Sequence, residues 1–146
     1  MSAPTEHDVN PYLQGKAAAA LLTDLRQATD GRTGDRLSGA IHAITNSRET
    51  LTVDEVNAGL AAIALLLAEF DPDLLNGAQD EAALREWLRE VDTELTPGRG
   101  IAVSAALARI ELGLDNEWYR AHKQAGTLQE ALHSLHKLRY DLTDAS

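Results

Sequence analysis

Eleven consecutive residues, "AGLAAIALLLA" from Ala58 to Ala68, carry no polar side chain. A helix drawn through them is apolar on every side, so other elements must enclose it. The charge-free run inside Val56–Ala68 is shorter than the roughly 20 residues a bilayer span needs. Its start is written just upstream. Thr52-Val53-Asp54-Glu55 is a capping box, in which Thr bonds a first-turn amide and Glu reaches back. A chain with such a rod at its centre must supply amphipathic helices to cover it.

The rest of the sequence supplies them, and strand-type alternation is absent. Asn10-Pro11 reads as a helix start, because Asn caps and Pro at the first helical position loses no needed N–H. Leu13, Ala17, Leu21, Leu25 and Ala28 follow at helical spacing. "DGRTGD" interrupts, and a shorter helix places Leu37, Ala40, Ile41 and Ile44 on one face. The central helix is expected to end near Glu69, and "DPDLLNG" predicts a short helical turn stopped at Asn76–Gly77. Leu84, Trp87, Leu88, Val91 and Leu95 then form the stripe of an amphipathic helix.

"TPGRG" is a strong breaker. Beyond it Val103, Leu107, Ile110 and Leu114 make one face, with Ile101, Ala105 and Leu112 on the other. "DNEWYRAHKQAG" predicts a short helix ending at Gly126, and a second capping box, Thr127 to Glu130, opens the last helix. Leu128, Ala131, Leu132, Leu135, Leu138 and Leu142 point inward there. The expectation is an all-α fold, a compact bundle of about six or seven helices with short loops. Residues 1–8 are expected to be a loose tail and residues 9–146 a single helical domain.

The chain has 146 residues, enough to bury about 68–70% of its unfolded surface without a metal or disulfide. It has no cysteine, which excludes disulfides and thiolate metal sites. The polar N-terminus "MSAPTEHDVN" lacks the basic and apolar regions of a secretory signal. A soluble, cytoplasmic protein is expected. Abundant Ala and Leu, with ten Arg among thirteen basic residues, have the look of GC-rich bacterial coding. A formal charge of −10 disfavours direct nucleic-acid binding and anionic membrane surfaces.

No catalytic pattern stands out. Glu130-x-x-His133 has di-iron spacing but occurs once, and His133 projects away from the buried stripe. His42 and His122 have no partner at ligand spacing, so no metal and no cofactor are expected. "DPDLLNG" fails as a calcium loop, because Asn76 and Ala82 stand where Gly and Glu are required. "GRTGDR" and "PGRG" put Arg32, Arg36 and Arg99 near helix starts, a weak anion-site candidate without P-loop or dinucleotide glycine spacing. No "GxSxG" elbow appears, and Glu86, Glu90 and Glu94 lack the second acidic cluster of helical nucleotide hydrolases. Gln129, His133, His136 and Tyr140 form an exposed strip on the last helix, a secondary interface candidate.

The acidic residues are unevenly placed. Residues 49–94 hold twelve acidic and two basic residues; the remainder holds eleven of each. Asp54, Glu55, Asp80 and Glu81 suit the dipoles of first helical turns. Glu86, Glu90 and Glu94 repel one another along one helix flank. That flank is either a solvated face or a docking surface for a basic partner with Trp87 as anchor. The expectation is a non-enzymatic, acidic protein-binding protein, specifically an inhibitor of a basic protein such as a toxin or nucleic-acid enzyme, as immunity proteins and antitoxins are. The alternatives are a structural or homo-oligomeric subunit, and a small-anion-binding bundle or enzyme.

Overall fold

The structure, a computed structural model, describes residues 12–13, 16–27, 33–47, 49–76, 81–91 and 93–145. The loose tail expected at residues 1–8 lies outside them. Among the described residues are seven α-helices and one 3-10 turn. They are α1 (Lys16–Gln27), α2 (Thr33–Thr45), α3 (Val53–Leu67), the turn Pro72–Leu75, α4 (Glu81–Glu90), α5 (Pro97–Leu112), α6 (Glu117–Ala125) and α7 (Leu128–Ala145). No strand occurs among these residues; Leu51 and Asn116 form an isolated bridge. The fold is an all-α bundle.

The bundle is organised around α3. Thr52 Oγ1 accepts the Glu55 N–H at 3.1 Å, and the Glu55 carboxylate accepts the Thr52 N–H at 3.0 Å. The capping box thus satisfies two donors at the helix start. Every residue from Gly59 to Ala68 is buried, and α1, α2, α5, α6, α7 and the 3-10 turn all pack on this rod. A Cβ at Gly59 would overlap the Ile44 side chain of α2, so glycine permits the close approach of those two helices. Each fully buried Leu or Ile in this core contributes about 1.5–3 kcal/mol relative to exposure.

Four local expectations are corrected. Tyr12 and Leu13 lie in a turn ahead of α1, not on its stripe. The Tyr12 hydroxyl donates to the Ser134 carbonyl at 2.8 Å, and Leu13 is buried, so this segment straps across α7. The helix holding Trp87 stops at Glu90, leaving Val91, Glu94 and Leu95 outside it. "TPGRG" is a helix start: Thr96 accepts the Arg99 N–H at 3.2 Å and Pro97 occupies the first helical turn. Finally, the Thr127 hydroxyl bonds His122 Nδ1 at 2.7 Å, leaving its expected capping role unfilled.

A second fastening joins α3, α5 and α6. Leu51 N donates to Asp115 O at 2.8 Å, and Glu117 N donates to Leu51 O at 2.9 Å. Between them the fully buried Asn116 donates from its amide to Ile110 O at 2.9 Å and accepts the Tyr119 N–H at 3.0 Å. It therefore closes α5 and caps α6 with one side chain. Gly113, at φ 74°, makes the preceding left-handed turn, where a Cβ would also meet the Tyr119 ring at 2.9 Å. Asn116→Ala should lower stability by about 2–3 kcal/mol, from a lost cap on α6 and a lost buried hydrogen bond to the Ile110 carbonyl, which keeps only the Gly113 N–H at 3.2 Å. Asn46→Ala, at an exposed turn, should change it by less than about 0.5 kcal/mol in the same urea titration.

Candidate functional site

The acidic segment is not one surface. Its two parts flank α3, whose 15 residues hold them about 22 Å apart at 1.5 Å per residue. Asp54 and Glu55 stand at the N-terminal end, where a negative charge suits the helix dipole. Glu69 follows the C-terminal end, where the same charge opposes it, and Asp71 and Asp73 come next at the start of the 3-10 turn. Glu90 in the last turn of α4, beside Arg89, and Asp141 and Asp144 in the last turns of α7, which hold no basic residue in the final turn, repeat the unfavourable placement. Asp71 lies against α7 through Lys137, so the carboxyl ends of α3 and α7 share this side of the bundle.

An open groove of about 750 Å³ lies between the end of α3, the 3-10 turn and α4. Leu65, Ala68, Phe70, Leu75, Leu88 and Leu95 give it apolar walls. Glu69, Glu94, Arg85 and Arg89 supply its charges. Arg85 is committed: its Nε holds Glu81 at 2.9 Å and its Nη2 holds Asn76 at 3.0 Å. Phe70 is 46% exposed. The groove exists because α4 is thinly attached, with Leu84 its one buried residue. Trp87 is half-buried against the core, while Glu86 and Glu90 are exposed on α4 and Glu94 in the stretch after it.

Behind the groove lies a polar cluster that the sequence reading missed. Lys137 Nζ stands 2.9 Å from Asp71 Oδ2 and 3.8 Å from Asp141 Oδ2. Asp141 Oδ2 is buried and receives no hydrogen bond. Burial, then the facing Asp71, pushes Asp141 up to about 6. Burial would also raise Asp71, but hydrogen bonds with Asp141 and Lys137 outweigh it and hold Asp71 below the usual carboxylate range. The Asp71 contact raises Lys137 against the opposing effect of burial, and burial lifts Tyr12 to about 12. The available signal was an acid placed directly beside Leu142 in the inward stripe of α7.

The remaining candidates separate. Gln129, His133, His136 and Tyr140 are all exposed on α7. His136 Nε2 lies 2.7 Å from Glu111 of α5, and Arg139 Nη2 lies 2.8 Å from the same carboxylate. The His136 hydrogen bond, aided by Arg139 and opposed by burial, holds Glu111 low. Thus His136 joins α5 to α7, while Tyr140 stands 71% exposed. Arg32 lies outside the described residues. Arg36 pairs with Asp24 at 3.6 Å, whereas Arg99 reaches back to Asp35 at 3.7 Å and to the Glu94 carbonyl at 2.6 Å. The two Arg-bearing segments therefore meet at the start of α2, with Arg99 already engaged. Among the described residues no three His, Asp or Glu side chains converge as a metal site.

Comparison with protein-family models, curated proteins and solved structures returns no match. The geometry alone carries the reading. If α4 is a peripheral helix held by Leu84, Leu84→Ala should cost about 2–4 kcal/mol and raise amide exchange first within Glu81–Glu90. Phe70→Ala, at a half-exposed groove position, should cost less than about 1 kcal/mol in the same measurement.

Proposed function

We propose that the protein binds a basic protein through its groove-bearing end, and acts as a non-enzymatic inhibitor or regulator of that partner. The observation supporting this most directly is where the acids stand. At the N-terminal end of α3 they have a structural use; at the carboxyl ends of α3, α4 and α7 they oppose helix dipoles. Each such charge forgoes about 0.3–1 kcal/mol that a Lys or Arg there would contribute. A positively charged partner would recover that loss on docking, and its field would be strongest where several negative ends meet. The neighbouring groove, with half-exposed Phe70, offers an apolar seat that charge alone would not. The suited partner segment carries Lys or Arg around an apolar side chain, as on the surface of a basic toxin or nucleic-acid enzyme.

A second reading has its own observation. On α5, Ile101 and Leu112 are 73% and 68% exposed, and Ala105 and Ala108 lie exposed between them. That uncharged stripe suits a homo-oligomer contact, and a solution mass that rises with concentration and falls with Ile101→Glu would favour it. No helix among the described residues is long and apolar enough to cross a membrane.

The docking reading is tested by reversing two exposed charges. In Glu86→Lys/Glu90→Lys the fold should persist, because a cation in the last turn of α4 suits its dipole. A basic partner captured with the wild-type chain should bind the variant at least about tenfold more weakly at low salt. The wild-type affinity should fall as salt rises toward physiological strength, where screening acts over about 8 Å. Equal affinities without salt dependence would remove this end from the interface.

A further inference from the structure

We propose that Asp71 and Asp141 form a proton-sharing clamp on the groove wall, firm while one proton lies between the carboxyls and loosened when both ionise. As a regulator of docking this rests on the function proposed above; as a property of the free protein it stands alone.

The geometry gives the clamp its leverage. Asp71 is flanked by Phe70 and Pro72, which both line the groove. Its carboxylate is held by Lys137 of α7 at 2.9 Å. The backbone on either side is fixed by short bonds: Phe70 N and Asp71 N to Leu67 O at 3.0 and 2.9 Å, and Leu74 N to Asp71 O at 3.1 Å. A change in how Asp71 is held against α7 therefore moves the wall that Phe70 and Pro72 build.

The charge balance gives it a trigger. Lys137 is one cation facing two carboxyls, at 2.9 and 3.8 Å. With one proton between the carboxyls, a single negative charge faces a single positive one, and the buried Asp141 oxygen gains a hydrogen-bond partner. Without that proton, two anions face one cation across the seam between the 3-10 turn and α7. The surroundings do not correct the excess. Asp73 acts from the turn side and Asp144 from α7, both negative, and the Tyr12 hydroxyl of the N-terminal strap is neutral.

The two carboxyls bound the pH window from opposite sides. Asp141, raised by burial and by Asp71 to about 6, contributes stability that is present below its unfolded value and lost as pH rises through about 6. Asp71 is lowered overall, so its contribution is present above the unfolded value and lost as pH falls below it. The clamp is firmest between the ordinary aspartate value of 3.8 and about 6. His122, lowered by burial, works the other way in part of this range, so the comparison must be with a variant that leaves it intact.

Asp141→Asn supplies that comparison, because an amide keeps the shape, donates one hydrogen bond and cannot ionise. The readout is amide protection in the free, full-length chain at Phe70, Asp71, Leu74 and Asn76, corrected for intrinsic exchange, at pH 5 and 7.5. Wild-type protection should fall about five- to tenfold between the two. In Asp141→Asn it should stay level, with a Tm at pH 7.5 above wild type by about 3–6 °C. Asp71→Asn, which removes the repelling neighbour, should flatten the profile as well. A wild-type profile without the fall, or the same fall in both variants, would overturn the clamp. No partner is present, so failure of the clamp is separate from failure of docking.

Discussion

The apolar run of α3 must be kept from water around its whole circumference, and that demand arranges the other helices. Five helices and the 3-10 turn are drawn onto it, most through Leu, Ile or Ala and α6 through the buried Trp118. The polar ends of the rod then have unequal fates. Its amino end closes on itself through Thr52 and Glu55. Its carboxyl end has no basic residue of its own in the last turn, and Lys137 reaches across from α7 to Asp71 instead. Because the rod is already covered, α4 is free to sit at the margin, and the space beside it becomes a groove.

At that margin the placement of charge runs against stability. Acids at three helix carboxyl ends forgo up to about 1 kcal/mol each, and the repeated Glu86–Glu90 neighbours add a few tenths more. Set against a typical total of about 5–15 kcal/mol, this is a noticeable concession. Solvation alone does not require acids there, since Lys or Arg would keep the surface equally wet and would suit the dipoles. The basic partner proposed above would supply the positive charge that these helix ends lack.

The legible parts of the fold were those set by local chemistry. Thr52 and Glu55, the glycine at 126 and the stripes of α2 and α7 follow from capping and periodicity, and they stand where the sequence puts them. Contacts between distant segments were less legible. Glu94 belongs to an extended stretch because its carbonyl is taken by Arg99, five residues on, at the start of the next helix. The Thr127 hydroxyl turns to His122 across a helix junction. The acidic block looked continuous because sequence does not register that a buried rod separates its halves. Asp141 was hidden for a related reason: Asp71 is 70 residues away, and only packing brings both carboxyls to Lys137.

The central claim is that recognition belongs to one end of α3 and not to the other. Differential hydrogen exchange on the chain, free and bound to its captured basic partner, tests this directly. The account predicts added protection across residues 69–76 and 84–95, with residues 49–55 and 115–117 unchanged. Protection confined to the amino end of α3, or to the Ile101–Leu112 face of α5, would contradict it.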